Sequence, residues 1–303
     1  MKTPVKVSSI SAMHQFLGLK RPANPLISVF NFDEVKLEPE TILSAITTDF
    51  YVIALKKDCA GGKCKYGQQY YDFDDGIMSF IAPHQVLQFE DVLLNSVRGF
   101  VLVVHQDFLH GYALASHIRE YGYFSYTANE ALHLSEKEEK SIMDIIHNIE
   151  QEIDANMDSY TQDLLVSNLD LLLKYCDRFY NRQFLTRKKV NNDLLSKLEA
   201  LLDDYFKNDK QIVKGIPTVH FVAEQLHLSA NYLSDMLRVQ TGQTTQQHIQ
   251  NRLIEKAKEL LSTTEMSVSE IAYHLGFEHP QSFHRLFKNR SSVSPLEFRA
   301  SFN

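Results

Sequence analysis

Along the first 130 or so residues the apolar positions gather into short runs separated by turn signals, which is the pattern of strands. Runs at 26–32, 50–56, 76–81 and 99–104 are rich in Val, Ile and Phe, and Gly61-Gly62 and Asp74-Asp75-Gly76 punctuate them. Many short strands predict a sandwich or barrel, whose interior has room for a small molecule. The period changes at Leu134. Ser135-Glu136-Lys137-Glu138 has the form of a capping box, and Ile142, Ile145, Ile146, Ile149 and Ile153 then recur at helical spacing. A second helix follows through Leu164, Leu165, Leu169, Leu172, Leu173, Cys176 and Phe179. Two such helices either complete the core of the strand domain or present an apolar stripe to a second copy of the chain. The stripe is read as a dimer surface. Residues 186–192 have little apolar content and are read as a linker, and beyond Leu194 the pattern is almost wholly helical.

Inside this helical region the same pattern occurs twice. Val222-Ala223-Glu224-Gln225-Leu226 leads through a turn at His227-Leu228-Ser229 to Asn231-Tyr232-Leu233-Ser234-Asp235-Met236-Leu237-Arg238. Ile271-Ala272-Tyr273-His274-Leu275 leads through Gly276-Phe277-Glu278 to Gln281-Ser282-Phe283-His284-Arg285-Leu286-Phe287-Lys288. Ala223 pairs with Ala272 and Leu226 with Leu275 at an offset of 49, and Leu233 with Phe283 and Leu237 with Phe287 at an offset of 50. Such a repeat predicts two similar units. Each reads as a helix-turn-helix, with small Ala223 and Ala272 allowing close packing and polar residues left on one face of the second helix. Between the copies, residues 244–261 lack Gly and Pro and place Ile249, Leu253, Ala257 and Leu260 on one side. A helix of that length spans about 27 Å at 1.5 Å per residue, near the roughly 34 Å of one DNA turn, so two readers on it would reach successive major grooves. Ser267-Val268-Ser269-Glu270 is a further capping box.

The charge modifies this picture. The 303 residues carry a formal charge of −7, which speaks against nucleic acid for the chain as a whole. From residue 211 onward, however, nine Lys or Arg face eight Asp or Glu, so the acidity belongs to the front half. Six of the thirteen His also fall after residue 211 and add positive charge there when protonated. No stretch approaches the length of a membrane span and no secretory signal is evident, so a cytoplasmic protein is expected. Cys59, Cys64 and Cys176 are too few for a disulfide framework.

Three segments carry a resemblance to a known family: Thr241-Gly242, the run Ile271-Ala272-Tyr273-His274-Leu275-Gly276-Phe277, and Ser294-Pro295-Leu296-Glu297-Phe298-Arg299. In these the last 100 or so residues resemble the DNA-binding domain of AraC/XylS-type transcription regulators. The front half is similar, more loosely, to that family's cupin-like effector domain through Tyr71-Asp72-Phe73-Asp74-Asp75-Gly76 and Phe80-Ile81-Ala82-Pro83. The resemblance implies promoter DNA as partner, a homodimer formed through the front half, a small-molecule effector, and RNA polymerase as a contact if the protein activates. By position it implies base contacts from Asn231, Ser234, Asp235, Gln281, Ser282 and Arg285. Arg285 is the strongest, because Arg bonds guanine O6 and N7 in a bidentate manner. Asp235 departs from the Arg common in the family and can only accept from a base donor such as cytosine N4. Arg238, Lys288, Arg290 and Arg299 are phosphate candidates, and Ser267 and Ser294 are helix caps that place backbone N–H groups near phosphates.

A cupin also raises the possibility of a metal enzyme. That chemistry needs converging ligands, usually a His-x-His pair, and none occurs in the sequence. There is no Gly-rich phosphate loop or Gly-x-Ser-x-Gly elbow either, so no enzyme, cofactor or metal is expected. For an effector pocket, Tyr66, Tyr70 and His84 are the candidates. The expected architecture is α+β: a cupin-like barrel over 1–133, a helical dimerisation segment over 134–185, a linker over 186–192 and an all-α domain with two helix-turn-helix units over 193–303. The expected function is sequence-specific, effector-responsive transcription regulation. The rival reading is a cupin enzyme fused to a helical protein-interaction module.

Overall fold

The apolar runs at 50–56 and 99–104 become the two central strands of a sheet, and each is buried almost end to end because that sheet is covered on both faces. The structure, a computed structural model, describes residues 4–36, 45–57, 64–66, 69–71, 76–88, 98–127 and 130–302. The chain divides into two units, Met1–Gln183 and Phe184–Asn303. The first contains β1 (Val5–Val7), α1 (Ile10–Phe16), β2 (Ile27–Asn31), β3 (Ala45–Thr48), β4 (Phe50–Lys57), β5 (Cys64–Tyr66) and β6 (Gln69–Tyr71). After these come β7 (Ile77–Ile81), β8 (Val86–Gln88), β9 (Arg98–His105), α2 (Leu114–His117), β10 (Leu132–His133), α3 (Glu136–Asp154) and all but the last three residues of α4 (Thr161–Thr186).

The main sheet has the order β10-β7-β4-β9-β2 and is antiparallel throughout. A second sheet, β1-β3-β8, pairs β1 parallel to β3, and β5 pairs with β6. Because successive strand residues point to opposite faces, the register sorts the core into two layers. Val52 opposite Val103 and Ala54 opposite Val101 form one face, which together with Phe30 of β2 packs against Ile10 and Met13 of α1 and Val7 and Ile46 of the smaller sheet. Ile53, opposite Leu102 and Phe80, lies on the other face. There Met78 Sδ meets Cys176 Sγ of α4 at 3.8 Å, and the Phe80 ring packs against Tyr123 and Tyr180. Burial on both faces is why these strands read as continuous apolar runs rather than as alternation.

Two expectations are revised here. The described residues form open sheets and no closed barrel, since α3 and α4, not further strands, cover the second face of the main sheet; the unit is a mixed arrangement of sheet and helix. Most of the stripe read as a dimer surface is used inside the unit: Ile142, Ile145, Ile146, Ile149, Leu165, Leu169, Leu172, Leu173, Cys176 and Phe179 are buried, while Ile153 is half-buried and Leu164 is exposed. The capping box starts α3, with Glu138 accepting from the Ser135 backbone at 2.9 Å. Glu138 also receives a two-pronged bond from Arg182 of α4 at 2.9 and 2.6 Å, which ties the helix pair together. Burial works against ionisation of Glu138, but hydrogen bonds from Ser135 and Arg182 prevail and hold its pKa below the ordinary value.

Segment 186–192, expected as a linker, is helical from Lys188 onward, and the break is confined to Arg187. Its polar composition has a local cause. Asn191 is buried and donates its amide to the Phe184 carbonyl at 2.7 Å, one of the last-turn carbonyls that a helix end leaves without an internal partner. Cys59, Gly61, Gly62 and residues 72–75 lie outside the described residues, as do the side chains of Cys64, Tyr66 and Tyr70. No helix among the described residues is long and apolar enough to cross a membrane.

The second unit is helical: α5 (Lys188–Lys207), α6 (Lys210–Lys214), α7 (Val219–Gln225), α8 (Ala230–Thr241), α9 (Thr245–Thr263), α10 (Val268–His274), α11 (Pro280–Ser291) and α12 (Pro295–Ala300). Its core gathers on α9, where Leu253, Ile254, Ala257, Leu260 and Leu261 pack with Tyr205, Phe206, Ile271, Ala272, Leu275, Phe283 and Phe287.

Neighbouring leucines on α4 test this packing, since Leu172 is 0% exposed and Leu171 is 45% exposed. Leu172→Ala is expected to lose about 2–5 kcal/mol of stability, and Leu171→Ala well under half of that. Urea unfolding midpoints decide it; equal losses would contradict the burial described.

Candidate nucleic-acid interface

The two copies of the repeat are built with matching chemistry at each end. Thr218 and Ser267 cap α7 and α10, accepting from Phe221 N at 3.1 Å and Glu270 N at 3.2 Å. Both turns close the same way: Leu228 N donates to Ala223 O at 2.9 Å and Phe277 N to Ala272 O at 3.0 Å. His227 and Gly276 then sit in the left-handed region with φ 58° and 86°, the helix-ending geometry that glycine adopts most easily. Both second helices are twelve residues long, and both end on a left-handed residue, Gly242 and Ser292. The repeat extends one helix further, because Thr244 with Gln247 and Ser294 with Glu297 form capping boxes at α9 and α12. The starts of α8 and α11 differ. Ser229 caps the first, accepting from Tyr232 N at 3.2 Å, whereas α11 begins with Pro280, whose fixed φ suits a first helical turn.

Equivalent positions on the second helices carry opposite charge. Asp235 of α8 corresponds to Arg285 of α11 at the offset of 50. Asp235 is bound to Arg238 one turn on, at 3.0 Å, so α8 holds one charge of each sign. On α11 the same turn holds Arg285 and Lys288, Arg290 follows, and the helix has no acid. Arg285 is exposed and makes no hydrogen bond or ion pair among the described residues.

The remaining sequence candidates fall into groups. Asn231, Gln281 and Ser282 are exposed on their helices, as are Lys288 and Arg290. Ser234 is not free, because its hydroxyl shares a hydrogen bond of 3.0 Å with Thr245, a fully buried residue at the start of α9. Arg299 donates to the Leu261 carbonyl at 3.2 Å and so closes the end of α9. His84 is 70% exposed and paired with Asp49 at 3.1 Å, so it lines no interior. Among the histidines counted as possible positive charge, His248 is half-buried and bonded to Thr241, and burial lowers its pKa.

Beside Arg285 lies an open groove of about 800 Å³ between α9 and α11. Gln246, Gln250 and Leu253 form one wall, Ser282, Arg285 and Asn289 the other, with Phe277 among the remaining lining residues. Arg290 reaches across it and donates to Gln250 Oε1 at 2.6 Å.

Residues 222–301 match the family described as a helix-turn-helix domain. In addition, 135 residues are 33% identical to the HTH-type transcriptional activator RhaS of Salmonella paratyphi B, a stretch that covers 44% of this chain and 46% of that protein. The C-terminal unit is an AraC-type helix-turn-helix domain. The chain thus spans less than half the length of the curated relatives that it matches. Two solved structures are also similar to the AraC-type domain. The C-terminal domain of the response regulator yesN from Fusobacterium nucleatum is 32% identical, covering 33% of this chain and 96% of that one with a TM-score of 0.29. A transcriptional regulator from Chromobacterium violaceum, described as containing an AraC-type DNA-binding domain, is 18% identical over 37% and 93% with a TM-score of 0.32. The family is one of transcription regulators and not of enzymes.

Sequence reasoning did not single out Gln246, Gln250 or Asn289 of the AraC-type domain. A signal was present, since Gln246 and Gln250 are one turn apart and flank the apolar line of Ile249 and Leu253. What it lacked was the facing helix.

Gly276 is needed for more than its dihedral angle. A Cβ there would stand 2.8 Å from the Gln211 carbonyl oxygen and 3.0 Å from Gly215 C. Gly276→Ala is expected to cost at least the roughly 1–2 kcal/mol of a left-handed alanine, with the close approach adding to it. His227→Gly, at the equivalent turn, should change stability by less than about 1 kcal/mol. Thermal melting of both variants checks this, and a harmless Gly276→Ala would count against the described turn.

Proposed function

We propose that the chain is a sequence-specific DNA-binding transcription regulator whose AraC-type domain engages promoter DNA through both helix-turn-helix units, with specificity weighted toward α11. The observation that carries this is the charge reversal at equivalent positions: Asp235 is neutralised by Arg238, while Arg285 stands exposed between a groove and two further cations. Arg285 then reads a guanine edge, with Gln281 and Ser282 beside it. Lys288 and Arg290 meet phosphates, which fix the register. Helix α9, nineteen residues long, spans about 28 Å at 1.5 Å per residue, which suits readers in successive grooves. Asn231 and Asp235 face DNA from α8 in this reading, and Arg238 is only partly available to phosphate. Ser234 and Arg299 serve the frame of the domain.

The first unit is proposed as a cupin-like effector domain that pairs with a second copy. The support for pairing is the set of apolar side chains that the core of the unit does not use, Tyr160 just before α4 and Leu164 and Leu171 on it. A small-molecule effector changes transcription only by binding one state of the protein better than another. RNA polymerase is a partner if the protein activates, and a DNA partner places the protein in the cytoplasm.

The test is binding by the full chain to a random DNA pool at low salt, followed by selection. An enriched sequence with salt-dependent affinity is expected, and its absence would sink the proposal. On the enriched site Arg285→Ala should lose about 1–3 kcal/mol and relax preference at one base; equal losses on random DNA would make Arg285 a phosphate contact. Asp235→Arg should raise affinity for random DNA, because it replaces the acid that neutralises Arg238. An unchanged binding curve would turn position 235 away from the duplex.

A further inference from the structure

The α9–α11 groove assigns a role to a residue outside the recognition helices. Gln250 is half-buried on α9, and its Oε1 accepts from Arg290 Nη2 at 2.6 Å. The two residues are forty apart in sequence and come together on the groove that Arg285 borders. An exposed arginine carries about 2 kcal/mol of rotamer freedom, and a neutral acceptor restrains it without cancelling its charge. Restraint by Asp or Glu would be stronger but would leave no net positive charge for a phosphate. Each of the other two arrangements on hand lacks one of these properties. Arg238 is held by Asp235 and neutralised, and Arg285 is charged but unheld among the described residues. In the first copy the residue equivalent to Arg290 is Gln240, which has no charge.

We infer that Gln250 is a positioning residue for DNA, holding the Arg290 guanidinium at the α9–α11 groove so that it meets the phosphate next to the base read by Arg285. The inference rests on the reading of this domain as a DNA binder. It makes the second reader a two-helix device, with α11 supplying the charge and α9 aiming it.

The experiment measures affinity of the full chain for its selected site across a salt series. Each phosphate neutralised contributes about 0.9 to the slope of log K against log salt. Arg290→Ala is expected to lower that slope by about 1. Gln250→Glu puts a carboxylate at the same distance and should lower it nearly as much, although the arginine is still present. Gln250→Ala keeps the charge but frees it, so the slope should stay near that of the unmodified chain while affinity falls about 3- to 10-fold. The double variant Gln250→Ala with Arg290→Ala should bind no worse than Arg290→Ala alone. Melting temperatures identify any variant that fails to fold, and Arg290→Lys, which keeps the charge without the planar fork, then replaces it and should resemble Gln250→Ala. A Gln250→Glu protein with unaltered affinity and slope would overturn the inference, as would additive losses in the double variant. If the unmodified chain binds no DNA even at low salt, the failure lies in the proposed function and not in the role of Gln250.

Discussion

The C-terminal unit depends on one constraint, the burial of α9 by helices from both halves of the repeat. Ile249, Leu253 and Ala257 are almost wholly inaccessible, and the same helix packs against Ile271, Ala272, Phe283 and Phe287 of the second copy and against Tyr205 and Phe206 of α5. A helix in this position has little freedom to slide, because protein interiors are close-packed and respond to small shifts in discrete steps. Its first turn is fixed as well. Thr244 and Gln247 cap it, and the buried Thr245 hydroxyl holds Ser234 of the first recognition helix. The end of α9 is closed by Arg299 from α12. The exposed faces of α8 and α11 therefore inherit their spacing from a single rigid element.

Capping chemistry sets where each helix begins, and it does so from local sequence alone. The Ser135, Ser267 and Ser294 boxes are legible because the hydroxyl and the carboxylate lie three residues apart and need nothing from the rest of the fold. In the latter two, the serine's bonds to Glu270 and Glu297 also draw those carboxyls below their ordinary pKa, side chain first for Glu270 and backbone first for Glu297. Strands at 27–31, 50–57, 77–81 and 98–105 are legible for a similar reason: burial on both faces makes them dense apolar runs. Short strands such as Val5–Val7 and Val86–Gln88 are not, since three residues carry too little pattern.

Features that depend on a distant partner escape the sequence. The Ile and Leu stripes of α3 and α4 show helical period but not what they face, and a sheet covers them where the pattern alone suggests a second copy. The polar stretch after Thr186 looks like a linker until Asn191 is seen to bond Phe184. Ser234 and Arg299 have the right residue type and position for DNA, yet their partners Thr245 and Leu261 come from α9. Gln250 shows the reverse case, an ordinary helix residue whose meaning comes only from Arg290 across the groove. Among the candidate reading residues, Asn231, Gln281, Ser282 and Arg285 lie on exposed helix faces, where helical period alone is enough to put them.

The unequal charge of α8 and α11 has a consequence for symmetry. Two readers of equal charge on one rigid axis would meet a uniform polyanion almost equally well in either direction, so nothing but base sequence would tell head from tail. Here one end of the axis presents Arg285, Lys288 and Arg290 and the other a closed Asp235–Arg238 pair. The domain is thus an electrostatic arrow, and under the proposed function a duplex whose groove width or charge density varies along its length would give it a preferred direction before any base is read.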